Sequence, residues 1–267
     1  ARCYGLHQLG MIAPGRQADF VILDNVTDLN VTDVYHCGKK IIRDEKAEIK
    51  PCPPYLKNTV HVSGFSEERL KLKHPGTKAH VIGMLERQIV TNDMIEEVPW
   101  IEKNGQKFFV SDGEYQKIAV IERHKNTGKM GVGIVKGYGI RGGAIASSVS
   151  HDSHNIIVVG DNDHDMMLAV KELIRDQGGY VLVCDGEIYG TLPLPVMGLM
   201  SDAGYEKVNA ALGRMIPKAH EMGVKEGFDP FITLSFMALP VIPEIRVTPR
   251  GIYLVNEDRM LVNPFLY

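Results

Sequence analysis

Ala144-Ile145-Ala146-Ser147-Ser148-Val149-Ser150-His151-Asp152-Ser153-His154-Asn155-Ile156-Ile157-Val158-Val159-Gly160 places two short apolar runs on either side of six polar residues. Runs of five or six residues, rich in Ile and Val and bounded by turn chemistry, read as strands. Residues 117–122 and 131–135 upstream have the same character. Downstream, Asp161-Asn162-Asp163 offers an N-cap, Met166, Val170, Leu173 and Ile174 share one helical face, and Gly178-Gly179 closes the segment. Residues 180–184, an Asp185-Gly186 turn and residues 187–191 then predict a hairpin.

Further out, 80–85 reads as a strand, 66–69 as a helical turn and 59–62 as extended chain. Asn104-Gly105 predicts a type I′ turn inside a hairpin over 99–112. A second helix is expected over 203–222, with Tyr205, Val208, Leu212, Met215, Ala219 and Met222 on one stripe and a kink at Pro217. Pro51-Cys52-Pro53-Pro54 cannot donate ladder hydrogen bonds at three of its four positions and marks a boundary. Before it, Met11-Ile12, 20–23, 31–35 and Ile41-Ile42 read as short strands, and Ala1 to Gly10, with Gly5 and Gly10 as candidate left-handed caps, is expected to include the end of a helix. The expected class is α/β in the mixed α+β sense. A small β-sandwich-like segment with its Pro-rich linker (1–57) precedes a larger domain of mixed sheet flanked by helices (58–267).

The 267 residues carry 30 Lys and Arg against 33 Asp and Glu, and charges interrupt every hydrophobic stretch, so no spanning helix is expected. Without a basic block there is no electrostatic footprint for a nucleic-acid polymer, and neither that polymer nor a membrane is an expected partner. Cys3, Cys37, Cys52 and Cys184 are scattered, which fits reduced thiols in a cytoplasmic protein better than a disulfide or zinc scaffold. The chain starts at Ala1, and its gene is expected to begin further upstream.

Ser150 to Asn155 is the densest polar cluster. Two imidazoles three residues apart with a carboxylate between them can bind a metal or move a proton near neutral pH. Equally, the six residues can form a polar turn that uses Asp152 and Asn155 for local hydrogen bonds. His164 can join His151, Asp152 and His154 in a self-contained site, but His164 and Asp165 read better as an exposed first turn of a helix. Gly137-x-Gly139-x-x-Gly142 leads into a strand, not a helix, and so does not read as a phosphate loop. The apolar, Pro-studded segments 192–202 and 234–243 suit rigid pocket linings, buried connections or docking surfaces. The remaining histidines, His36 among them, stand alone and are expected to be structural or at the surface.

Residues 10–23 (Gly-Met-Ile-Ala-Pro-Gly-Arg-Gln-Ala-Asp-Phe-Val-Ile-Leu) with Val34-Tyr35-His36-Cys37-Gly38-Lys39 resemble the final segment of amidohydrolase-superfamily enzymes. In those enzymes the segment follows a catalytic barrel and completes a β-sandwich. Residues 146–156, 192–201 and 230–243 make nearly all of 58–267 similar to the C-terminal domain of bacterial-type adenine deaminases.

The resemblance implies conversion of adenine and water to hypoxanthine and ammonia in purine salvage. It also implies a divalent metal, manganese or iron, held in a barrel by a His-x-His pair and further ligands. This chain has no His-x-His, so no metal ligand is assigned to it, and it is expected to begin where the barrel ends and to be inactive alone. His151, Asp152 and His154 are the catalytic candidates, and Ser153 and Asn155 the substrate-binding ones. Adenine, the missing barrel and further copies of the chain are the expected partners. A non-catalytic assembly or lid module, and a self-contained metallohydrolase using His151, Asp152 and His154, remain as alternatives.

Overall fold

A computed structural model describes residues 1–41 and 51–266. The chain divides into two compact units, 1–51 and 52–267, within the Pro51-Cys52-Pro53-Pro54 stretch.

In the first unit a 3-10 turn, Arg2–Tyr4, ends at Gly5 in the left-handed region and stands in place of the expected helix end. β1 (Phe20–Leu23), β2 (Val31–His36) and β3 (Lys39–Ile41) form an antiparallel sheet in that order. The Phe20 and Tyr35 rings, directly opposite in register, stack with centroids 4.7 Å apart. Met11-Ile12 forms no strand, contrary to expectation: both side chains are exposed, in a stretch of turns and bends that runs into Pro14-Gly15. Ile42, expected to extend the last strand, lies outside the described residues.

The second unit is built on one eight-stranded sheet. Its first strands are β4 (Ala79–Met84) and β5 (Thr91–Glu96), and a separate hairpin of β6 (Trp100–Lys103) and β7 (Gln106–Phe109) follows. That hairpin turns at Asn104 and Gly105, both with positive φ, as a type I′ turn requires. The chain continues through β8 (Tyr115–Ile121), β9 (Met130–Lys136), β10 (Gly143–Ser147) and β11 (Ile156–Gly160) to α1 (Asp163–Arg175). β12 (Gly179–Cys184) and β13 (Glu187–Pro193) complete a sheet of order β13-β12-β10-β11-β8-β9-β4-β5, antiparallel except between β4 and β9.

The central strands are mostly apolar because both faces of the sheet are covered. Ile118, Val120, Ile145, Ile157 and Val159 face one core, and Ala119, Ile121, Ala144, Ile156 and Val158 face the other. α1 closes the second face with Met166, Ala169, Val170 and Leu173, and is capped by the Asn162 side chain, which accepts the Asp165 N–H at 2.8 Å. The first face is covered by α2 (Tyr205–Glu221) and α3 (Ile232–Phe236), and by the sheet of β14 (Ile245–Thr248), β15 (Gly251–Leu254) and β16 (Arg259–Leu261). The chain passes so close to β9 here that a Cβ on Gly131 would lie 2.0 Å from the Thr248 carbonyl oxygen.

Three local expectations are corrected. Tyr205, expected on the buried stripe, stands 72% exposed in the first turn of α2, and the buried stripe is carried by Ala211, Met215 and Ala219. β10 stops at Ser147 instead of Val149, because the Ser147 hydroxyl accepts the Val149 N–H at 2.9 Å and takes it from the ladder. Asp165 is buried, its carboxylate accepting from the Asn162 amide, while His164 beside it is exposed. No helix among the described residues is long and apolar enough to cross a membrane.

Candidate functional site

The polar turn 150–155 sits at one end of the large sheet, where β8 and β10 finish and β11 and β12 begin. Its backbone is tied on both sides. The His151 N–H donates to the Ser235 carbonyl at 2.9 Å, and the His154 N–H closes the turn onto the Ser150 carbonyl at 2.5 Å. His154 itself is held at a φ of 49°, which puts it in the left-handed region.

Arg123, one residue beyond Glu122 at the end of β8, is the organising side chain. It is 1% exposed, and it donates from Nε to the His154 carbonyl (2.5 Å), from Nη1 to that of Thr59 (3.2 Å) and from Nη2 to that of Met197 (3.0 Å). One planar guanidinium thus binds three segments distant in sequence. Burial pushes its pKa down to about 10. Gly198 must lack a side chain, since a Cβ there would lie 2.8 Å from Nη1. Beside it the Ser148 hydroxyl donates to the Gly198 carbonyl and accepts the Gly179 N–H, at 2.6 and 2.7 Å. Burial acts to raise the Glu122 carboxyl, but the N–H groups of Thr127, Lys125 and His124 and the Thr127 hydroxyl outweigh it and hold the pKa at about 2. That carboxylate fixes the loop from which His124 Nε2 meets the Ser153 carbonyl at 2.6 Å.

On this frame His151 and His154 lie edge to face, with ring centroids 5.7 Å apart, and His151 also packs on Phe236 at 5.1 Å. Burial first, then the neighbouring His151 and Arg123, lower the pKa of His154, so its ring is neutral at physiological pH. Its Nδ1 is buried and has no hydrogen-bond partner, as is true of the Ser150 hydroxyl. Asp152 and Ser153 are exposed. Asn155 is committed within the turn, donating from Nδ2 to the Ser153 hydroxyl at 3.0 Å and accepting the Arg123 N–H on Oδ1 at 3.4 Å.

The structure therefore brings His151, Asp152, Ser153, His154 and Asn155 together and adds Arg123, Ser150 and Phe236. It separates them from His164, which follows the opposite end of β11, about 15 Å away at the usual strand rise. His151, Asp152 and His154 do not converge as a ligating group. Among the described residues the three donors that do are Asp19, His36 and Cys37. Two cavities lie away from the turn, one of about 300 Å³ beside the β6–β7 hairpin and one of about 580 Å³ between Arg141, Lys218 and Lys225.

The family model for the adenine deaminase C-terminal domain matches residues 88–259, which take in the whole of this turn and Arg123. The chain belongs to that family. Among relatives of the adenine deaminase C-terminal domain family, a protein of Desulfitobacterium hafniense named adenine deaminase is 49% identical over 261 residues, covering 98% of this chain and 45% of its own length. Adenine deaminases of Nitratidesulfovibrio vulgaris Hildenborough and Clostridium acetobutylicum are 42% and 41% identical over 95% and 98% of this chain, and 44% and 46% of theirs. The chain spans about half the length of the curated relatives it matches.

Proposed function

We propose that this chain is the C-terminal part of an adenine deaminase, which hydrolyses adenine to hypoxanthine and ammonia in purine salvage, and that the His151–His154 turn faces the catalytic site. The observation that carries this reading is the match of almost the whole chain to less than half of several proteins named adenine deaminase.

Removing an amine from a purine ring requires an activated water and a group that protonates the leaving nitrogen. Among the described residues the donors of the turn do not converge, and on this reading the manganese or iron of the reaction is bound by another part of the enzyme. The turn contributes polar recognition. A neutral His154 can meet one polar atom of adenine through Nε2, as donor or acceptor according to its tautomer, while Nδ1 stays buried. Asp152 and Ser153 add an acceptor and a hydroxyl at the open side, and Asn155 and Arg123 position them. Met197 and Met200, in the loop clamped by Arg123, and Ile232 in α3 are about half exposed and supply apolar surface for the missing barrel or for another copy of the chain.

The test replaces the matching segment of the Desulfitobacterium hafniense relative with this chain. The manganese-loaded fusion is expected to release hypoxanthine and ammonia from adenine, and the 267-residue chain alone to release neither. A folded, metal-loaded fusion without activity, or activity in the isolated chain, would overturn the proposal.

A further inference from the structure

The β2–β3 hairpin of the first unit turns at Cys37 and Gly38, both with positive φ. The stacked pair Phe20 and Tyr35 fixes the register, so that Asp19 lies opposite His36. Asp19 Oδ1 accepts the Cys37 N–H at 2.7 Å and lies 3.1 Å from His36 Nδ1, while Oδ2 accepts from the Gln17 amide at 2.6 Å. On the far side of the same ring, His36 Nε2 lies 3.5 Å from Cys37 Sγ.

A hairpin needs an acceptor for the amide at its turn, and Asp19 supplies it. It does not need an imidazole and a thiol beside that acceptor. Zinc binds cysteine sulfur at about 2.3 Å and histidine nitrogen at about 2.05 Å, so two such ligands on a tetrahedral ion stand about 3.5 Å apart. That is the separation of His36 Nε2 and Cys37 Sγ. A histidine that binds metal through one nitrogen is usually held through the other by a carboxylate, and Asp19 occupies that place. One thiolate with one imidazole selects a borderline ion such as zinc over magnesium or calcium, which prefer oxygen.

We propose that this hairpin is a zinc-class metal site, in which His36 Nε2 and Cys37 Sγ bind the ion and Asp19 orients the imidazole. Binding releases the Cys37 thiol proton to solvent, and the other coordination positions take water or groups from outside the hairpin.

The reduced, metal-free 267-residue chain is titrated with cobalt(II) as a spectroscopic substitute for zinc, then with zinc. One equivalent of cobalt should give a thiolate-to-cobalt charge-transfer band in the near ultraviolet, which zinc then removes. Cys37→Ser and His36→Gln should lose the band. Asp19→Asn, which keeps an oxygen for the Cys37 amide, should weaken binding about 10- to 100-fold. Cys3→Ser, Cys52→Ser and Cys184→Ser should keep the band. Because a hairpin variant can misfold, the wild-type chain is also alkylated with iodoacetamide, and zinc should protect Cys37 while leaving the exposed Cys3 reactive. No charge-transfer band, a band that survives Cys37→Ser, or a Cys37 that zinc does not protect would overturn the proposal.

Discussion

Arg123 and Arg246 are the two largest fully buried side chains, and neither has a carboxylate partner among the described residues. Each is held by oxygen acceptors, and burial pushes each pKa down to about 10. They differ in what they hold. Arg246 bonds Ile89, Thr91, Pro243 and its own neighbour Ile245, and so seams β14 to the edge of β5. Arg123 gathers Thr59, His154 and Met197, three segments that meet only at the end of the sheet. One buried cation joins sheet to sheet, and the other holds the turn that carries the histidines. A cation in such a place restrains backbone carbonyls that no regular element can satisfy.

The largest expected effect comes from removing either one. Arg123→Ala and Arg246→Ala should each lower unfolding stability by about 2–4 kcal/mol, because charged donors are lost from several buried carbonyls. Denaturant unfolding measures this. The two variants should part in the histidine region of the NMR spectrum, where Arg123→Ala shifts the His151 and His154 resonances and Arg246→Ala leaves them in place. Equal histidine shifts in both would end the distinction.

A smaller effect follows from titration. Burial, then His151, then Arg123 hold His154 below its ordinary value of 6.5, and Asp152 opposes them. The unfolded chain therefore binds this proton more readily than the folded one. The stability His154 contributes is fully present above pH 6.5 and is lost as pH falls from 6.5 through the folded value. Arg123→Met should move the His154 titration upward, and Arg246→Met should not, as followed by NMR of labelled histidine. An unmoved His154 in Arg123→Met would show that the guanidinium acts on the turn only through the backbone.

Much of the large sheet is legible in the sequence because both of its faces are buried, which makes 118–121, 144–146 and 156–159 continuous apolar runs. Asn104-Gly105 and Asn162 are equally legible, since a type I′ turn and an N-cap each demand few residue types. The role of Arg123 is not, because an arginine after an apolar run reads as the solvated end of a strand, and its three acceptors are backbone atoms that leave no mark on composition. The same holds for His36 and Cys37, which look solitary until the β1–β2 register brings Asp19 opposite them. The β14–β16 sheet is not legible in the sequence, because its strands have three or four residues each and follow a Pro-rich segment. Asn155 reads in the sequence either as a substrate-binding amide or as a local hydrogen-bonding one, and in the structure it donates to the Ser153 hydroxyl and accepts the Arg123 N–H.

The most direct test of the central claim, that the clamped turn serves the catalytic site, is the kcat/KM for adenine of the Desulfitobacterium fusion carrying His154→Ala, with His164→Ala as the comparison. A lost hydrogen bond to substrate costs about 1–3 kcal/mol, or roughly 5- to 150-fold in kcat/KM. The account predicts a loss in that range for His154→Ala with bound manganese unchanged, and no loss for His164→Ala. Full activity in a folded, metal-loaded His154→Ala fusion would contradict it.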